Sequence, residues 1–161
     1  LTLRQFLKVT VILALGMYGL WGAFDIRRLW LFDGANLLFH EAGHVLFSFL
    51  GEFVGIMGGT FLQLAIPAGL AVAFFRKRQI YSACVMLFWY GENYFGIAHY
   101  IQDARSQVLP LIGGEIHDWG YILERLHLLP YDQGIGGAVW CMGLMTILAA
   151  VCGGVYFSKK E

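Results

Sequence analysis

The chain has 161 residues, 58% of them hydrophobic and 14% charged, with zero formal net charge and a mean hydropathy of +0.63. Water-soluble domains carry nearer to about a quarter charged residues, and dispersed basic residues without an excess leave no electrostatic footprint for nucleic acid. Composition thus predicts an integral membrane protein: a single all-α domain over residues 1–161, a polytopic helical bundle whose immediate partner is the lipid bilayer.

The first apolar run covers about 7–24 and opens a series of five segments, each near the roughly 20 residues that cross a bilayer. It has no small-x-small cleavage site and is expected to remain as a signal-anchor. Gly16, Gly19 and Gly22 recur at every third position, and Gly19 with Ala23 makes a small-xxx-small pair, a pattern suited to close helix–helix contact. The second run, about 29–50, holds the stretch LLFHEAGHVLFSFL. GEFVGIMGGT follows at 51–60. Its glycines and glutamate make a poor helix, and it is the candidate for a loop dipping into a protein-lined cavity. The third, fourth and fifth runs cover about 60–75, 80–101 and 135–157. Cys84, Cys141 and Cys152 fall within apolar runs with no CxxC pair, and read as buried free thiols.

A polar loop, 103–134, separates the last two runs. Pro110, Gly113 and Gly114 predict irregular structure in its first half. From Asp118 through Leu129, apolar residues return at helical spacing (Trp119, Ile122, Leu123, Leu126), which predicts an interfacial helix capped by Asp118. Arg27, Arg28, Arg76, Lys77, Arg78, Lys159 and Lys160 fall on one side of the series, against Arg4, Lys8, Arg105 and Arg125 on the other. That excess favours the cytoplasm for the first side, with the long loop outward from a bacterial inner membrane.

His40 and His44 are four residues apart, so on a helix both project from one face about a turn apart and can grip one metal ion. Glu41 is offset around the helix, where it can accept a proton from water. This HExxH spacing suits zinc, which takes two histidines, a third protein ligand and a water whose pKa falls to about 7. HExxH also arises by chance in soluble helices. Within an apolar run, however, each ionisable group costs about 2.5–3.5 kcal/mol to insert, and a bound cation offsets that cost.

Several groups are available as the third ligand. His99 and Asp103 sit four apart at the end of the fourth run, Glu92 and Asn93 lie within it, and His117 and Asp118 adjoin in the loop. Each also has an ordinary reading. His99 suits an interfacial position among Tyr94 and Tyr100, Asp103 a pairing with Arg105, and Glu92 a pairing with Gln63 or a wet cavity. His117 and Asp118 read equally as a loop histidine and an N-cap. At 1.5 Å per residue His44 lies about 10 Å from the outer end of its segment, within reach of several of these groups, so depth does not choose among them. His40 with His99 is the pair available for axial haem ligation, but the i, i+4 histidines with an intervening glutamate fit zinc better.

HEAGH on an apolar helix followed by GGTFLQLAIP resembles the site-2-protease-like intramembrane zinc metalloproteases, and YIQDAR with GGEIHDW looks like a small bacterial branch of that group. The resemblance covers most of the chain and is specific at HEAGH. It implies His40 and His44 as zinc ligands, Glu41 as the catalytic base, the Gly58-Gly59-Thr60 stretch with Gln63 lining a cleft, and cleavage of a membrane-spanning substrate. The family's usual third ligand lies in a Leu-Asp-Gly segment that this chain lacks; Phe32-Asp33-Gly34 precedes HEAGH instead of following it. The third ligand is therefore assigned to His117, with Asp103 and Asp118 as alternates.

Two functions are compatible with these residues. One is a zinc metalloendopeptidase that hydrolyses a peptide bond in a membrane-associated protein. The other is a non-catalytic membrane subunit that keeps the metalloprotease scaffold and packs in a larger complex, using the glycine face of the first helix.

Overall fold

The structure is a computed structural model that describes residues 2–25, 31–111 and 116–160. The start of the second run near Leu29, the loop glycines Gly113 and Gly114, and Arg27 and Arg28 of the charge comparison lie outside the described residues. Among the described residues, six α-helices follow in chain order: α1 (Leu3–Phe24), α2 (Asp33–Phe47), α3 (Glu52–Arg76), α4 (Ile80–Gln102), α5 (Asp118–Arg125) and α6 (Asp132–Ser158). The described residues contain no strand.

Among the described residues, three stretches, Leu3–Phe24, Glu52–Arg76 and Leu129–Ser158, are long and apolar enough to cross a membrane. Each of the five apolar runs does contain a helix, but α2 has 15 residues and α4, with 23, carries Glu92 and Asn93 in its middle. Large apolar side chains cover the outer faces, among them Phe6, Met17, Trp21, Phe61, Val72 and Met145. A bilayer accounts for such surfaces, because water-soluble monomers rarely expose large contiguous apolar patches.

Side by side, the long helices run α2, α3, α4, α6, α1, with α4 at the centre between α3 and α6. Phe88 and Phe95 of α4 pack with Ile147 and Ala150 of α6, all 2% exposed or less. A second cluster, Ile97, Ile101, Ala104 and Leu123, joins the end of α4 to α5. The glycine face of α1 is used inside the chain. A Cβ on Gly16 would stand 2.7 Å from Val151 of α6, and one on Gly19 would stand 2.9 Å from both Ile147 and Phe88. All three cysteines are free, as expected, but Cys141 and Cys152 lie on exposed faces of α6 and only Cys84 is buried.

The GEFVGIMGGT stretch departs from its expectation, since α3 is helical from Glu52. Tight packing on α2 offsets the poor helix propensity of its glycines. A Cβ on Gly43 would collide with the backbone of Gly58, and one on Gly55 would press on Ser48 Cα at 3.2 Å. Gly51 joins the two helices at φ +100°, a conformation L side chains rarely adopt. Further along α3, Pro67 is buried in the helix interior and removes the N–H that would donate to Gln63 O.

The polar loop is pinned at both ends. The Asp103 carboxylate accepts from Val108 N and Leu109 N, each at 3.0 Å, and from Ser106 Oγ at 2.7 Å. Arg105, expected beside Asp103, reaches instead to Asp132 at the start of α6, with Nε and a terminal nitrogen 2.8 and 2.7 Å from its two carboxylate oxygens. The α5 helix is shorter than the expected Asp118–Leu129, and its N-cap is His117, whose Nδ1 accepts from Gly120 N at 3.0 Å. It lies across the ends of α3 and α4, with Tyr121 Oη donating to Glu52 at 2.9 Å.

Candidate metal centre

Neighbouring α2 turns present His40 and His44 toward α3, with ring centroids 4.7 Å apart. Gly59 makes this possible. A Cβ there would stand 2.6 Å from His44 Cε1 and 2.9 Å from His40 Cε1. Asp118, at the first turn of α5, brings Oδ2 to 2.8 Å from His40 Nε2 and 3.3 Å from His44 Nε2. The three donor atoms lie within 4.8 Å of one another, close enough to hold one metal ion. Two imidazoles and a carboxylate form a donor set that zinc accepts.

Each of these groups is held from behind. Gln63 Oε1 lies 3.0 Å from His40 Nδ1, and Gln63 Nε2 donates to Asn93 Oδ1 at 2.7 Å. Gly55 O lies 3.0 Å from His44 Nδ1. Asp118 N donates to Tyr100 Oη at 3.2 Å, and the Tyr100 ring packs on the His117 ring with centroids 4.1 Å apart. Such outer contacts orient metal ligands and fix their tautomers.

Of the three residues considered as third ligand, Asp118 joins the histidine pair, while His117 and Asp103 do not. His117 is the residue that turns the chain into α5, and its Nε2 faces Asp103 at 3.3 Å, off the line of a hydrogen bond. One residue of backbone decides the matter, because adjacent side chains at a helix start point in different directions. Asp103 is committed to the loop amides. Burial would raise its pKa, but the Ser106 hydroxyl, the Leu109 and Val108 amides and His117 together hold it down to about 2. His99 is exposed and lines a separate hollow with Phe95 and Trp140, so it forms no pair with His40. Glu92 is buried and accepts from Asn36 Nδ2 at 3.1 Å, while Asn36 Oδ1 takes the indole N–H of Trp89 at 2.8 Å. The expected Glu92–Gln63 contact is replaced by Gln63–Asn93.

Glu41 lines the same cavity as the His–His–Asp group. The cavity, about 850 Å³, is lined by residues of α2, α3 and α4 and by Asp118, with Asp33, Glu92 and Tyr100 among its polar groups. Asn93, a candidate ligand in the sequence, instead holds Gln63, and Asn36, which the sequence analysis did not single out, holds Glu92; the signal for both was a side-chain amide placed within an apolar run.

No protein-family model, curated protein or solved structure matches the chain.

Proposed function

We propose that the protein is an intramembrane zinc metallopeptidase that hydrolyses a peptide bond in a membrane-associated protein. The observation that carries this reading is the convergence of one donor atom each from His40, His44 and Asp118 within 4.8 Å of one another. Gly55 O can only accept, so His44 Nδ1 bears a hydrogen and Nε2 is the nitrogen turned toward Asp118 Oδ2, 3.3 Å away. A divalent cation would take Nε2 and Oδ2 as ligands, and the i, i+4 spacing with an adjoining glutamate favours zinc.

In this reading His40, His44 and Asp118 hold the ion and Glu41 moves protons. Zinc bound there supplies Lewis acidity toward a peptide carbonyl and toward water. Glu41 takes the proton of the attacking water and hands it to the departing amine, leaving the carboxylate unchanged over the cycle. The apolar walls of the cavity suit an extended segment of a membrane protein. All five long and medium helices cross the bilayer in this proposal. The polar groups of α4 are tolerated because α3 and α6 flank it, and the loop side faces outward from a bacterial inner membrane.

The glycine face of α1, which would have favoured a packing subunit, is already occupied by α6. The test is metal analysis of the purified protein with Glu41→Gln beside it. The variant is expected to keep one zinc per chain and to lose cleavage of a co-expressed membrane substrate. A Glu41→Gln variant that supports full function would overturn the peptidase reading and leave a non-catalytic membrane subunit.

A further inference from the structure

An imidazole can ligate through Nε2 only if the hydrogen of the neutral ring sits on Nδ1. At His44 a backbone carbonyl enforces this. At His40 the partner is a side-chain amide, which can present either oxygen or nitrogen, so Gln63 alone does not settle the tautomer. Something must hold the amide the right way round.

Asn93 does so, and its own orientation traces back to a main-chain group. Trp89 O can only accept, and Asn93 Nδ2 donates to it at 3.0 Å. Asn93 Oδ1 is thereby turned toward Gln63, whose Nε2 donates to it at 2.7 Å. That leaves Gln63 Oε1 facing His40 Nδ1 at 3.0 Å, where it can only accept. Each bond has one possible direction once the carbonyl is fixed. Asn93 is 1% exposed, so water does not compete for its amide.

We propose that Asn93 is a positioning residue for His40, acting through Gln63 to keep the imidazole hydrogen on Nδ1 and the Nε2 lone pair aimed at the metal. This rests on the metal reading above. It predicts that Asn93, a full side chain removed from the ion, matters to metal affinity, and that the need for it vanishes when residue 63 can only accept.

The experiment is zinc competition against a chromophoric chelator, on the full chain in detergent, for the wild type, Asn93→Leu, Gln63→Glu and the double variant. Freed of Asn93, Gln63 can turn its amide and donate to His40 Nδ1. Asn93→Leu is therefore expected to bind zinc about 10–100-fold more weakly, the usual effect of losing an outer-shell partner. A carboxylate at position 63 accepts only, so Gln63→Glu is expected to restore affinity in the double variant, whereas alone it sets an acceptor against Asn93 Oδ1 and is expected to bind no better than the double variant. A packing role for Asn93 would not be rescued in this way. An Asn93→Leu variant that binds like the wild type, or a double variant as weak as Asn93→Leu, overturns the role of Asn93 alone. Wild-type protein that takes up no zinc overturns the metal reading itself. Nitrogen-15 NMR of histidine-labelled, zinc-loaded wild type gives a check independent of any variant: His40 must carry its hydrogen on Nδ1, and metal on Nδ1 would sink the proposal.

Discussion

His40 and Asp118 are 78 positions apart in the chain and meet at 2.8 Å between Nε2 and Oδ2. The contact depends on a folded loop. Asp103 gathers the backbone of residues 106–109 onto the end of α4, Arg105 ties the same turn to Asp132, and the His117 ring caps α5 one residue before the carboxylate. The site is thus assembled from a rigid two-helix half and a loop-borne half.

The adjoining residues 117 and 118 should respond differently to substitution. Asp118→Ala removes a donor atom and is expected to lower zinc affinity by more than the roughly 10–100-fold typical of an outer contact. His117→Asn keeps a side chain able to cap the helix and is expected to bind zinc within about that range of the wild type. Competition titrations of the two variants decide the assignment. Equal loss in both, or greater loss in His117→Asn, would move the third ligand.

Glycines at the α2–α3 contact should be far less replaceable than glycines elsewhere on the same helices. A methyl on Gly59 must displace the imidazole of His44, so Gly59→Ala is expected to lose zinc binding while retaining helicity. Gly43→Ala meets the Gly58 backbone, which cannot swing aside as a side chain can. A cost of about 1–3 kcal/mol is expected for such overpacking. Gly69 has no atom within 4 Å of an added Cβ, and Gly69→Ala should be neutral or gain about 0.5–1 kcal/mol through helix propensity. Thermal melting in detergent compares the three.

Half of this site was readable from spacing. His40, Glu41 and His44 obey the helical repeat, and ionisable groups in an apolar run stand out by their cost. Asp118 was legible only as one of several acids, because its approach depends on where Asp103 and His117 turn the chain, and those turns are made by side-chain bonds that periodicity does not encode. The 51–60 stretch misled for a related reason. Glycine lowers helix propensity locally, but Gly55, Gly58 and Gly59, facing Ser48, Gly43 and two imidazoles, let the α2 and α3 backbones touch, and that gain lies on another helix. The polar centre of α4 belongs to the same class, since Glu92 and Asn93 are explained by Asn36 and Gln63, which come from two different helices.

Acid should leave the loop anchored well below the usual carboxylate range. Asp103 is buried at the loop end of α4, and its pKa is lowered from 3.8 to about 2 by its hydroxyl and amide donors after burial has pushed the other way. For a depressed carboxylate the stabilisation is complete above the unfolded value and disappears as pH falls through the folded one. The Val108 and Leu109 amides are therefore expected to stay protected from hydrogen exchange at pH 4, after correction for intrinsic rates, and to lose protection as the pH drops through about 2. Asp103→Asn should expose both amides already at neutral pH. Protection unchanged in that variant would mean the loop is held by something other than this carboxylate.

Metal removal should loosen the α5 end of the bundle more than the α1–α6 end. An ion that binds the folded form alone stabilises it by RT ln(1 + [L]/Kd), about 4.1 kcal/mol at a thousandfold excess over Kd. A chelator is expected to lower the melting temperature of the wild type. It should leave Asp118→Ala, which starts without the full ligand set, almost unmoved. Hydrogen exchange under the same conditions should rise first at residues 116–125, which carry Asp118, and last around Ile147 and Ala150, which pack on α4 and do not line the cavity. Chelation that shifts wild type and Asp118→Ala equally would show that the ion acts elsewhere on the protein and that the two imidazoles and the carboxylate meet only as an ion pair.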